Sequence, residues 1–442
     1  MLNVFWLILV VFFVIWLSVK KGIHPFLALL AACIIMGFLA GIDAVTVLGA
    51  VAGGFGNTLK SIGIVIAAGT IIGEYLDRSG GAKVLANRIL KKTGDKHAPL
   101  SLGVTGYIVS IPVFCDSGFI VLSSLKDAIA KRTGLSTVAL AIALSAGLYT
   151  THVFVPPTPG PLAAAATLQA DIGRVLILGL IISVPVMLAG LLWARFYCSR
   201  FTIEPEKKES DIKSIESRDE PGFLSSLAPI LVPIILIAMK SIADSPGSPF
   251  GEGTIQKIFL FAGDPIIALL TGVLFAFGMA KEIGVKNRRK WIEEGLGKAG
   301  TIILITGAGG AFGEVLRTTD LADLAESFTA AGALGIAIPF LISSFLKTAQ
   351  GSSTVAIITA AAISVPLLGS IGLDSETGKA LAVLAIGAGA MTVSHVNDSY
   401  FWVVAKFSNM DTSTALKTHT LATLIMGITG LVSIQIMAWV LL

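Results

Sequence analysis

The chain has 442 residues, of which 54% are hydrophobic and only 14% charged, with a formal net charge of +4. A soluble domain carries roughly a quarter charged residues, so the composition excludes a soluble enzyme and points to a polytopic membrane protein of mean hydropathy +0.86. The small positive excess sits in loops, which gives no footprint for nucleic acid, and Cys33, Cys115 and Cys198 lie too far apart for a CxxC pair or zinc spacing.

In chain order, apolar runs at 3–19, 25–42 and 57–76 are each long enough to span or nearly span a bilayer. The first has no basic start and no small-residue cleavage site, and Lys20-Lys21 follows it, so it reads as a retained span. A basic stretch from Arg78 to Lys96 contains an amphipathic segment at 82–92, expected to lie on the membrane surface. Two apolar limbs, 99–113 and 119–130, flank Phe114-Cys115-Asp116-Ser117-Gly118, and lysines or arginines border both outer ends. Positive charge marks the cytoplasm, so the pair reads as a re-entrant hairpin with its tip deep in the membrane.

The run 135–170 is interrupted by Pro156-Pro157-Thr158-Pro159-Gly160-Pro161. Four prolines in six residues cannot stay helical, and irregular backbone at membrane depth must face protein or a water-filled cavity. A span at 173–195 follows, then a polar linker at 198–222 that separates a first repeat (1–197) from a second (223–442). The second repeat offers spans at 224–240, 256–280 and 299–316, with a basic loop at 281–290 and a surface helix near 320–330. Limbs at 332–346 and 355–368 flank Lys347 to Thr354, a second broken helix covers 378–408 around Ser394-His395-Val396-Asn397-Asp398-Ser399, and a last span covers 418–442.

The halves match internally: Gly69-x-x-x-Gly73-Glu74 with Gly309-x-x-x-Gly313-Glu314, Ala146-Gly147 with Ala388-Gly389, and His152-Val153 with His395-Val396, at offsets of 240, 242 and 243 residues. Five crossings per half is odd, so the second half must run inverted, with both termini outside and the basic loops on one side. The expected fold is therefore an all-α membrane protein of about ten transmembrane helices in two inverted-topology repeats, each with a re-entrant hairpin and a broken helix. Paired broken elements at the midplane are the architecture of secondary transporters.

Ionisable residues inside a membrane are costly and mark function by default, which selects Asp116, Lys347 and Asp398. Desolvation at the tip disfavours a charged Asp116, so it is the first proton-coupling candidate, with Asp398 competing and His152 and His395 as relays suited to neutral pH. Lys347 would hold an anion; Thr348, Gln350, Gly351, Ser352, Ser353 and Thr354 form a donor-rich turn suited to hydroxyls and a carboxylate, though serines also cap helices. Ser117, Gly118, Thr151, Thr158, Ser394, Asn397 and Ser399 complete the substrate-binding set. Glu74 and Glu314, each beside an arginine, read as interfacial and structural, and the GxxxG pairs as close helix packing. No Walker motif, dinucleotide fingerprint, HExxH or other catalytic signature is present. The residues alone leave open an ion-coupled carrier and a passive channel or facilitator, with no cofactor or metal expected and sodium not excluded as the coupling ion.

The sequence resembles the gluconate permease family of proton symporters over nearly its whole length. The resemblance rests on His24-Pro25-Phe26-Leu27-Ala28-Leu29-Leu30, Val155-Pro156-Pro157, Gly307-Ala308-Gly309-Gly310-Ala311-Phe312, Gly351-Ser352-Ser353-Thr354-Val355-Ala356 and Asp398-Ser399-Tyr400-Phe401-Trp402. It implies proton symport of a small anionic sugar acid or hydroxy acid, location in the cytoplasmic (inner) membrane, a homodimer and an elevator-type motion. A sodium-coupled carboxylate carrier is the alternative that the resemblance implies. Two positions depart from the family pattern. Asp116 stands where many members have glutamate, and Thr158 where many have histidine. Both lie at the expected site, and they widen the expected substrates from gluconate to related aldonates, glycerate and D-serine.

Overall fold

In the computed structural model, which describes residues 2–93, 97–201, 203, 221–243, 253–279, 284–319, 335–396 and 398–442, every described element is a helix or helical turn. Five helical segments are long and apolar enough to cross a membrane, or seven when two bent pairs each count as one span. The protein is thus an all-helical, multi-pass membrane protein. The count falls below the expected ten for a physical reason: α2 (Pro25–Leu39) is short at 15 residues, and the second broken helix is divided into limbs of 16 and 8.

After α1 (Leu2–Lys20) and α2, Asp43 starts α3 (Ala44–Arg78), its Oδ1 accepting from the Val45 and Thr46 amides. These 35 residues extend about 52 Å at 1.5 Å each. That exceeds the hydrocarbon thickness, and the helix bends by 47° between Ser61 and Gly63. The expected span at 57–76 is only its second half. The same correction applies to α13 (Val285–Arg317), which begins inside the expected basic loop and carries Lys286, Arg288, Arg289 and Lys290 on its first turns. The two long helices lie antiparallel: Gly54 faces Gly310, Ile71 faces Gly295, and Glu74 pairs with Lys298 at 2.5 Å.

Between them in the first half come α4 (Gly81–Thr93), the expected amphipathic helix, then α5 (Ala98–Val109) and α6 (Cys115–Thr133). At 12 residues, α5 is about 18 Å long and cannot cross. The expected tip shifts, however. The non-helical turn is 110–114, and Asp116, Ser117 and Gly118 already lie in the first turn of α6. The proline-rich break separates α7 (Thr137–Phe154) from α8 (Pro159–Leu168), whose opening proline sits where a missing N–H costs nothing. Every residue of α7 is buried in protein, as irregular backbone at this depth requires.

The long α9 (Ile172–Phe196) ends the first half. Most of the expected linker, 204–220, and the expected surface helix at 320–330 lie outside the described residues. The second half holds α10 (Phe223–Ala243), then α11 (Thr254–Ala262) and α12 (Pro265–Met279), which meet at 67°. Its hairpin is α14 (Ala337–Gln350) and α15 (Ser353–Ser364), and its broken helix is α16 (Glu376–Met391) and α17 (Ser399–Lys406). A short α18 (Thr412–Ala415) passes through a π-helical stretch, Leu416–Thr420, into α19 (Leu421–Leu441). The donor-rich turn expected at 347–354 is almost wholly helical. Lys347, Thr348 and Gln350 end α14, and only Gly351 and Ser352 form the turn.

The GxxxG stripe of α3 explains how tip and break reach the middle. A Cβ on Gly73 would stand 2.5 Å from the Pro112 carbonyl oxygen, and one on Gly69 would stand 3.4 Å from that of Pro157. Glycine at both positions lets the first tip and the first break lie directly on the helix.

Candidate functional site

Lys347 is the residue around which the site is built. It sits in the last turn of α14, where a cation suits the negative end of the helix dipole. Gly351 then takes a left-handed conformation (φ 79°) that ends the helix sharply. The Lys347 ammonium, 1% exposed, donates to the Gly351 carbonyl at 2.8 Å and to Asp398 Oδ2 at 2.5 Å. The Tyr149 ring lies 6.0 Å from the same nitrogen.

Asp398 caps α17, its Oδ1 accepting from the Tyr400 amide at 3.0 Å. Its Oδ2 also accepts from Ser394 Oγ. Ser394 Oγ in turn lies 3.2 Å from His419 Nε2, and His419 Nδ1 lies 3.4 Å from Ser145 Oγ. All of these residues are at most 3% exposed. The result is a buried chain of polar groups, Lys347–Asp398–Ser394–His419–Ser145, packed against Tyr149 and Tyr400, whose rings are 5.0 Å apart.

Asp116 approaches from the other hairpin, within electrostatic reach of both Lys347 and Asp398. Its Oδ1 is buried without a hydrogen-bond partner, and it lies in the first turn of α6, where a helix N-terminus favours negative charge. His152 Nδ1 is likewise buried and unpartnered, with the imidazole stacked on Tyr149 at 6.4 Å. His395 lies apart from the surroundings of His152. Its Nε2 meets the Thr348 carbonyl at 3.0 Å and ties the second break to the second tip.

The expected donors divide into two groups. Thr151, Thr158 and Thr348 hydroxyls donate to their own helix or turn carbonyls, at Gly147, Val155 and Ser344, and Ser352 Oγ caps α15 through the Val355 amide. These hydroxyls are already committed to the backbone. Gln350 has both amide atoms buried and unpartnered, and Ser353 and Thr354 begin α15 beside it. Ser117 occupies the first turn of α6, and Gly118 admits the Leu148 side chain, which would stand 2.7 Å from a Cβ. Ser399 is exposed at the start of α17, and Asn397 lies outside the described residues.

Sequence reasoning missed His419, Tyr149 and Ser145. A signal for His419 was present: the expected last span began at 418, so this histidine already stood inside the membrane. The π-helical stretch around it is a form that recurs at functional sites. Glu74 has the structural role expected of it, buried between Arg78 at 2.8 Å and Lys298. Among the described residues no group of three or more His, Cys, Asp or Glu is arranged for a metal.

The family model for GntP family permeases matches residues 2–440. The chain belongs to this permease family. It is 36% identical to a permease of Haemophilus influenzae over 92% of this chain and 86% of the relative. It is 34% identical to the gluconate permease of Pseudomonas aeruginosa over 96% and 95% of the two chains. The solved structure of MtrF from Neisseria gonorrhoeae superposes with a TM-score of 0.69 at 15% identity, over 96% of each chain, which shows a shared fold. As a GntP family permease the protein is a membrane transporter and not an enzyme, and the buried chain around Lys347 lies within a transporter fold.

Proposed function

We propose that this permease imports a small hydroxylated monocarboxylate, with gluconate as the first candidate, across the cytoplasmic (inner) membrane together with protons. The observation that carries the reading is the burial of the Lys347 ammonium where half-helices start. α15 and α17 begin beside it, α6 carries Asp116 in its first turn within its electrostatic reach, and the first turn of α8 packs Gly160 against Ile357 of α15. Helix N-termini present free N–H groups and positive dipole ends, which suit an anion, and the lysine adds a full charge. Gln350 supplies buried amide atoms without a partner for the substrate's hydroxyls, and Asp116 and Asp398 supply carboxylates able to take a proton. The relative in Pseudomonas aeruginosa is a gluconate permease, which favours a sugar acid.

The reading includes two inverted repeats, 1–197 and 223–442, supported by the antiparallel crossing of α3 and α13. It also includes a homodimer and an elevator-type motion, in which hairpins and broken helices move as one body. Purified protein in proteoliposomes should take up gluconate against its gradient when the outside is acidic, with choline in place of sodium, and a protonophore should abolish this. Uptake that requires sodium would replace the coupling ion, and unsaturable uptake down the gradient alone would overturn active transport.

A further inference from the structure

We propose that the substrate's carboxylate and Asp398 alternate as the ionic partner of Lys347, so that each anion bound obliges Asp398 to take up a proton. The inference rests on the sugar-acid reading above and assigns its coupling step. Lys347 has three N–H donors. One goes to the Gly351 carbonyl, one to Asp398, and the remaining face of the ammonium lies toward the Tyr149 ring. An incoming carboxylate that pairs fully with this lysine therefore takes the donor that Asp398 holds. Asp398, 3% exposed, is then a buried carboxylate without its cation, a state that proteins relieve by neutralising the group.

The groups that face Asp398 allow such a proton. Around it stand Lys347 from α14, Asp116 and Cys115 from α6, His152 and Tyr149 from α7, Tyr400 from α17 and His419 from the π-helical stretch. No second lysine or arginine is among them, so nothing else replaces the lost positive charge. In the ionised state Ser394 Oγ donates to Asp398 Oδ2, and His419 Nε2 donates to Ser394. Once Asp398 Oδ2 carries a proton, that O–H donates to Ser394 Oγ, Ser394 donates to His419 Nε2, and the Nδ1–H of the other imidazole tautomer donates to Ser145. The chain reverses direction with each heavy atom in place. One O–H bond forms on Asp398, its proton drawn from the aqueous side from which the substrate enters. Lysine plus aspartate and lysine plus substrate plus protonated aspartate both sum to zero charge. The exchange requires Asp116 to keep one protonation state throughout, which separates its role from that of Asp398.

Gluconate should be titrated into the purified protein in weakly buffered detergent solution while released or absorbed protons are read with a pH dye. Wild type should absorb about one proton per gluconate at alkaline pH, where its affinity should fall about tenfold per pH unit. Asp398→Asn keeps an acceptor for the α17 cap, and it should bind gluconate with near-zero proton uptake and little pH dependence. Asp116→Asn should still absorb the proton whatever its affinity. An infrared difference spectrum should show a new protonated-carboxyl band in wild type and Asp116→Asn but not in Asp398→Asn. Undiminished proton uptake in Asp398→Asn, or its loss in Asp116→Asn, would overturn the exchange while leaving sugar-acid transport standing. If wild type binds no sugar acid, the transport reading and this inference fall together.

Discussion

The two hairpin tips hold opposite charges in opposite positions. In the first, the acid follows the turn: Asp116 opens α6, with one carboxylate oxygen buried and unpartnered. In the second, the base precedes the turn: Lys347 closes α14 and is neutralised by Asp398. Each charge occupies the helix end whose dipole favours it. The two hairpins thus carry an acid in one and a base in the other without opposing the backbone field in either place. The lesson is that the partnered tip, not the lone acid, is where an anion must compete for its place.

The sharpest way to break this comparison is sidedness, because hairpins from inverted halves must open to opposite faces. On a cysteine-free background, single cysteines at Ser210 and Asp374 should react with an impermeant maleimide from opposite sides. Reaction of both from outside in intact cells would end the inverted reading. Next in size is Lys347→Met. Removing the cation strands a buried Asp398, which costs about 3–5 kcal/mol, so thermal stability should fall and gluconate affinity should drop by roughly a hundredfold or more. Adding Asp398→Asn should recover the stability but not the affinity. A recovery of both would show that the lysine serves packing alone.

Smaller effects test the remainder of the second tip. Ser352 Oγ caps α15, so Ser352→Ala should cost about 1 kcal/mol of stability, with gluconate affinity changed less than by Lys347→Met. A calorimetric affinity loss equal to that of the lysine variant would return Ser352 to direct substrate contact. Gly351→Ala forces a side chain into the left-handed region and should cost about 1–2 kcal/mol. The thermal midpoint of this variant should therefore fall only slightly below that of Ser352→Ala, and an unchanged midpoint would mean that the turn rearranges freely.

Much of the frame was legible in the chain. Prolines and glycines located the first break, charge-flanked short limbs pointed to the first hairpin and the polar run from Lys347 to Thr354 to the second, and the spacing of Gly69 and Gly73 announced a close approach that Pro112 and Pro157 fulfil. The rule on intramembrane ionisable residues singled out Lys347 and Asp398, which the structure buries together, but did not announce their pairing. They are 51 residues apart on different elements, and only tertiary packing brings them together. The hydroxyls misled in a consistent way. A threonine inside a helix can bond the carbonyl one turn back, and Thr151 and Thr348 do so, which a list of polar residues does not distinguish from a waiting donor. The extents of α3 and α13 were hidden because their first turns are not apolar throughout. Antiparallel packing keeps them helical there.

Lys126, on α6, is fully buried, and its ammonium reaches the Phe407 carbonyl at 2.7 Å and Ser408 Oγ at 3.1 Å, just past the end of α17. It also pairs with the neighbouring Asp127 at 3.0 Å. Asp116 lies in the first turn of α6 and Asp398 caps α17, so two helices from different halves of the chain each carry an acid at the head and are riveted together at the tail. A rigid yoke of this kind fixes the distance between the two acids. Asp116 and Asp398 thereby belong to one packed unit, so that a displacement of either helix carries the other acid with it.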